Sequence, residues 1–144
     1  MNRQKRKMSG MLKKSFIKKD AEPRHNNTVF AADMFSHEDV GSDIGSGWGF
    51  LKKGMKIESH KHPVKEIYII IQGKGFMKVG SNSLTVQKGD AIYIPSNDMH
   101  TAWNNENEDL EFIYFVFENR PLPFIMNMFE GLIDIMKNRI NRYR

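Results

Sequence analysis

Four side chains carry the donor types of a metal site. His60 and His62 stand two apart, Glu66 follows four residues after His62, and His100 lies well beyond them. On an extended chain, residues i and i+2 point to the same side. Both imidazoles can therefore face one ion. Pro63 interrupts strand pairing directly after His62, and a short turn there lets Glu66 return on the neighbouring strand toward the same point. Three strand-like segments separate Glu66 from His100, which can close the set from the opposite wall. Three neutral imidazoles and a carboxylate suit a borderline divalent ion such as Fe, Mn, Ni, Co, Cu or Zn. Such a set leaves coordination positions open to water or substrate. Without an ion, the same groups are costly to bury. A lone H-x-H pair is ordinarily two hydrogen-bonded histidines. His25 and His37, in polar segments with no partner at a useful spacing, read that way.

The elements that must position these residues are short strands. From Trp48 the chain alternates apolar runs with turn signals: "WGFLKKG", "MKIESHKH", "EIYIIIQG", "GFMKVG", "SLTVQKG", "AIYIP", "HTAWNN" and "LEFIYFVF". Short strands at even spacing predict an all-β sandwich or barrel. No helical pattern lies between them, which excludes parallel βαβ units. "NTVFAADMF" adds a strand upstream. "SHEDVGSDIGSGWG" reads as a loop; its Gly45, Gly47 and Gly49 lack phosphate-loop spacing and read as turns between strands. After Pro121 and Pro123, apolar residues from Ile125 to Tyr143 recur every three or four positions. This predicts an amphipathic C-terminal helix whose apolar face covers the barrel or a partner subunit. The expected organisation is a flexible basic leader over 1–19, a barrel domain over 20–120 and the helix over 121–144. Met11 offers an alternative start.

The net charge of +5 is unevenly spread. Residues 1–19 hold eight Lys/Arg and residues 137–144 hold four, leaving ten bases against all seventeen acids between them. The basic charge therefore lies in the tails, with no nucleic-acid-binding motif, and reads as solvated arms with no nucleic acid as partner. The absence of cysteine excludes disulfides and thiolate ligands. No run is long and apolar enough for a membrane span, and no secretory signal follows the basic start, so a cytoplasmic location is expected.

Two spaced motifs carry a resemblance. The first is Gly54-x5-His60-x-His62-x3-Glu66-x6-Gly73, and the second is Gly89-x5-Pro95-x-Asn97-x2-His100-x3-Asn104. Together they resemble the two motifs of the cupin superfamily, G-x5-H-x-H-x3,4-E-x6-G and G-x5-P-x-G-x2-H-x3-N. Asn97 departs from the usual glycine, and asparagine tolerates the left-handed backbone that glycine would supply. The resemblance covers about Trp48 to Phe117. It implies a small antiparallel β-barrel, or double-stranded jelly roll, with one divalent transition metal held by His60, His62, Glu66 and His100. Gly73, Gly89 and Pro95 then read as turn residues, and Asn104 as a strand end.

Fold does not settle reaction. Cupins include dioxygenases, isomerases, lyases, decarboxylases and non-catalytic binding proteins. The expectation is a metal-dependent enzyme acting on a small polar molecule, a sugar or an organic acid; the alternative is a binding or sensing module without turnover. Tyr68 shares the face of Glu66, and Glu58 precedes His60 by two, so these are the candidate acid/base residues. Gln72, Tyr93, Tyr114 and Trp48 are further polar or aromatic candidates that read more simply as core residues. No Lys/Arg cluster is evident in the barrel, so no anionic substrate is indicated. Open sheet edges and the apolar helix face predict a homodimer.

Overall fold

A computed structural model of the chain describes residues 10–40 and 43–118. The helix expected over 121–144 and the first nine residues of the leader lie outside the described residues. Nine described strands follow in order: β1 (Glu22–Arg24), β2 (Val29–Phe35), β3 (Ile44–Leu51), β4 (Lys65–Gln72), β5 (Lys74–Val79), β6 (Asn82–Gln87), β7 (Ala91–Ile94), β8 (His100–Trp103) and β9 (Leu110–Phe117). They form a six-stranded sheet, β1-β2-β3-β9-β4-β7, and a three-stranded sheet, β6-β5-β8. Every pairing is antiparallel. The all-β barrel read from the strand spacing is what forms.

Alternation decides which side chains fill it. In β4, Glu66, Tyr68 and Ile70 are buried, whereas Lys65 and Ile69 are exposed. In β7, Ile92 and Ile94 point in while Ala91 and Tyr93 point out. Both strands show the period of two expected of a half-buried strand. The core joins Leu51, Ile57, Ile70, Met77, Val86, Ile94 and Leu110. Each such side chain contributes roughly 1.5–3 kcal/mol on full burial. The β4–β5 turn needs Gly73, which holds φ +80° and passes so near the Asp109 carbonyl that a Cβ would collide with it.

Three local readings change. The segment "MKIESHKH" is not a regular strand. It meets β8 at two isolated bridges, Lys56 with Trp103 and His60 with His100, without forming a continuous ladder. It also meets β8 through Ile57, whose N–H donates to the Ala102 carbonyl at 2.8 Å and whose carbonyl accepts from the Thr101 hydroxyl at 2.6 Å. Gly45, Gly47 and Gly49 are not turn residues but inward positions of β3. A Cβ at Gly49 would lie 2.6 Å from the Phe112 ring, and one at Gly47 would overlap the Tyr114 ring. Glycine is there because β9 lays two aromatic rings flat on β3. The polar loop before β3 also opens with one helical turn, α1 (His37–Val40). It is capped reciprocally: Asp39 N–H donates to Ser36 Oγ at 3.2 Å and Ser36 N–H to Asp39 Oδ2 at 3.0 Å.

Residues 10–19, placed by composition in the leader, run along the outer face of the large sheet. Phe16 stacks on Trp48 with centroids 4.4 Å apart. Lys18 pairs with Asp109 at 2.9 Å and with the buried Glu111. Lys14 pairs with Asp39 at 2.6 Å and lies over the Phe35 ring.

Candidate metal centre

The bridge between the two motifs builds the site. His60 N–H donates to His100 C=O at 3.2 Å, and His100 N–H donates back at 2.9 Å. Asn97 N–H donates to the His62 carbonyl at 2.8 Å, and Asn97 holds φ +62°. The asparagine thus keeps the left-handed turn that the motif requires. The opposing turns place the three imidazoles together. Ring centroids are 4.3 Å apart for His60 and His100, 4.9 Å for His62 and His100 and 5.7 Å for His60 and His62. One ring nitrogen from each lies within 4.8 Å of the others, a grouping that could hold a metal ion.

Each ring is oriented by a backbone carbonyl. His60 Nδ1 lies 2.7 Å from Glu58 O, His62 Nδ1 2.9 Å from Val64 O, and His100 Nδ1 2.8 Å from Asp98 O. A carbonyl only accepts, so a neutral His60 or His100 ring carries its proton on Nδ1 and turns a lone pair on Nε2 inward. His62 instead faces an acceptor at each nitrogen, Val64 O and Glu66 Oε2, and would give up its Nε2 proton when an ion binds. That is how ligating histidines are ordinarily held. Glu66, buried in β4, brings its Oε2 to 3.0 Å from His62 Nε2 and 3.5 Å from His100 Nε2. His100 Nε2 is buried and, despite that proximity, makes no hydrogen bond of acceptable geometry. An unsatisfied buried nitrogen costs free energy, and an ion at this point would relieve it. The donor set of three imidazoles beside one carboxylate therefore fits a borderline divalent metal.

Burial divides the imidazoles. His60 is pushed below the usual histidine pKa by desolvation, which outweighs its bond to the Glu58 carbonyl. Desolvation also pulls on His100, but the Glu66 carboxylate and the Asp98 carbonyl prevail, and its pKa is raised.

A cavity of about 200 Å³ meets the site at Glu66, while His60, His62 and His100 are not among its lining residues. Its wall includes Glu66, Phe112, Tyr114, Arg24, His25 and Asp33. The Tyr114 hydroxyl donates to Asp33 Oδ1 at 3.0 Å. Burial first, then the Asp33 charge, pushes that phenol well above the tyrosine range. Arg24 Nη2 lies 3.4 Å from Asp33 Oδ2.

The other candidates fall elsewhere. Tyr68 sits in the core, stacked on Phe112 at 4.5 Å, and burial holds its hydroxyl far above the usual pKa. The Glu58 carboxylate is exposed and accepts a hydrogen bond from Asn26. Trp48 Nε1 donates to Glu111 on the outer face, and Tyr93 is exposed. Gln72 lines a separate surface groove. Asn104 is fully buried and ties Leu51 and Glu108 carbonyls together. His37 lies 3.2 Å from Glu118, at the other end of β3. His25 and Arg24, by contrast, reach the cavity. The "HNN" run signals a left-handed turn, but nothing local shows that the turn folds back over the site. One cation, Arg24, therefore stands in the cavity wall, beside Asp33.

A family profile described as a cupin domain matches residues 48–117. Among curated relatives, the chain is 34% identical over 73 residues to auxin-binding protein 4 of Zea mays, covering 44% of this chain and 36% of that protein. It is 33% identical over 64 residues to an oxalate-binding protein of Thermotoga maritima, covering 44% and 53% respectively. The chain thus spans about half or less of these two relatives. Among solved structures, a predicted oxalate decarboxylase from Thermotoga maritima superposes with TM-score 0.60 at 27% identity, covering 63% of this chain and 81% of that one. A Cupin 2 conserved barrel domain protein from Salinispora arenicola gives TM-score 0.67 at 17% identity over 76% and 91%, a likeness of fold alone. With both motifs in place on an antiparallel barrel of this topology, the chain belongs to the cupin superfamily.

Proposed function

We propose that the barrel binds one divalent transition metal through His60, His62, Glu66 and His100, and that it is a metal-dependent enzyme acting on a small organic acid. The observation that carries this is the inward set of three Nε2 atoms, each aimed by a carbonyl behind its ring, with the buried His100 Nε2 lacking any hydrogen-bond partner. Bound there, the ion would supply Lewis acidity or, with a redox-active metal, activation of oxygen. The protein's own groups do the rest. A cavity of about 200 Å³ is smaller than the roughly 300–1,000 Å³ of pockets that hold drug-sized ligands. Arg24 in its wall offers a fork of donors that matches a carboxylate. We assign proton handling to the Tyr114–Asp33 pair, because Tyr114 lines the cavity whereas Tyr68 and Glu58 do not appear in its wall. Burial and the Asp33 charge keep Tyr114 protonated. Its single O–H is held by Asp33, so it gives that proton to bound ligand only by exchanging one acceptor for the other. The oxalate-binding relative favours an organic acid over a sugar. The same reading takes the chain as a cytoplasmic homodimer whose partner is a small molecule and not nucleic acid; among the described residues no helix is long and apolar enough to cross a membrane.

Metal content tests the site. Protein purified without chelator is expected to carry one ion per chain, and His62→Ala far less; equal stoichiometry in the two would overturn the ligand set. A second reading, binding without turnover, is favoured by relatives named for binding alone. Metal-loaded protein incubated with short organic acids separates the two: acid that binds but is recovered unchanged supports the binding module.

A further inference from the structure

The turn between β1 and β2 is fastened to one of the three clustered histidines. Its residues His25, Asn26 and Asn27 hold φ of +50°, +57° and +63°. Non-glycine residues enter this left-handed region at a cost, and a run of three persists where surrounding contacts over-determine it. Thr28 N–H donates to the carbonyls of Arg24 at 3.1 Å and His25 at 3.3 Å, and its hydroxyl donates to the His25 carbonyl at 2.6 Å. The turn also reaches across to Glu58. Glu58 N–H donates to Thr28 Oγ1 at 2.8 Å, and Asn26 Nδ2 donates to the Glu58 carboxylate at 2.6 Å. The carbonyl of that same Glu58 receives His60 Nδ1. From the other side, the His25 ring lies on the His60 ring, with centroids 4.0 Å apart and planes 24° from parallel.

His60 has reason to need this support. Its segment is held to β8 by two isolated bridges and by the bonds at Ile57, not by a continuous ladder. We infer that the His25–Thr28 turn is a positioning device for His60, in which Glu58 and His25 are positioning residues that hold the imidazole ready for the metal; this rests on the metal-binding reading above. Glu58 sets the height and tautomer of the ring through its carbonyl, and its carboxylate anchors that carbonyl to the turn. His25 prevents the ring from tilting and forms part of the cavity wall beside it.

Cobalt(II) titration of the metal-free full chain tests the inference, read as affinity by chelator competition and as the visible d–d spectrum. Outer partners of metal-ligating histidines are typically worth about 10–100-fold in affinity. Glu58→Ala and His25→Asn are each expected to lose about that much and to change the spectrum. Asparagine is chosen because it tolerates the left-handed backbone while removing the ring. Glu58→Gln should match wild type, since its amide oxygen still accepts from Asn26. Both side chains are exposed, so the variants should fold, as metal-free melting curves will show. If His62→Ala abolishes cobalt binding while Glu58→Ala and His25→Asn keep wild-type affinity and spectrum, the positioning role is overturned and the metal site stands. A Glu58→Ala loss that glutamine fails to restore also overturns it. If His62→Ala binds cobalt as wild type does, the metal site fails and this inference with it.

Discussion

At the scale of single residues, Gly47 shows how closely the cavity wall is built. Its position on β3 lies beneath the Tyr114 ring, where a Cβ would overlap the phenol. The contact is with a ring fixed between Asp33 and its neighbours, not with the end of a flexible chain. Gly47→Ala should therefore push Tyr114 out of its place, separate it from Asp33 and destabilise the barrel by about 1–3 kcal/mol, the usual cost of overpacking. Chemical denaturation should show the loss. A variant as stable as wild type would mean that the strand yields at little cost.

At the scale of elements, the outer strap over residues 10–20 contributes more than its composition suggests. Eight bases and few apolar groups in the first nineteen residues predict a solvated leader. Yet Phe16 finds Trp48, and Lys18 supplies the cation that the buried Glu111 lacks on its own strand. A stacked aromatic pair is worth about 0.5–1.5 kcal/mol beyond area burial, and a buried carboxylate stripped of its partner is destabilising. A chain beginning at Asp20 should lose roughly 1–3 kcal/mol, a fall in Tm of about 5–10 °C. It should still load metal, because the strap's recorded contacts lie on the outer face of the sheet. An unchanged Tm would show that the strap adds nothing; lost metal would tie it to the site.

At the scale of the molecule, the outer face of the large sheet remains apolar away from the strap. Ile67 pairs across strands with Tyr93 and Phe115, and Ile69 with Ile113. Tyr93 is 54% exposed and Ile69 36% exposed. β7 stands at the end of the sheet order among the described strands. An apolar face beside an open strand favours burial against a second copy. Light scattering at micromolar concentration should report twice the 16.8 kDa of the chain, and Tyr93→Lys should shift the population toward monomer. A wild-type mass of one chain would overturn the dimer.

The sequence by itself determined the strand alternation, the turns at Gly73 and Asn97 and the local spacing of His60, His62 and Glu66. These depend on neighbours within a few residues. Period two decides which side of a strand faces inward, and the spacing of His60, His62 and Glu66 around Pro63 is local geometry. Asn97 illustrates the same point, since its own backbone tolerance carried the turn without glycine. Only the tertiary structure decided what depends on distant partners. Gly47 and Gly49 looked like turn residues because nothing nearby showed that Tyr114 and Phe112 would lie on them. His25 looked like a solvated histidine because its stacking partner, His60, is brought to it by the closure of the barrel. Arg24 became a cavity residue, and Lys18 the partner of Glu111, for the same reason. Burial and long-range contact are properties of the closed fold, and the periodicity of the chain encodes only the faces that must meet.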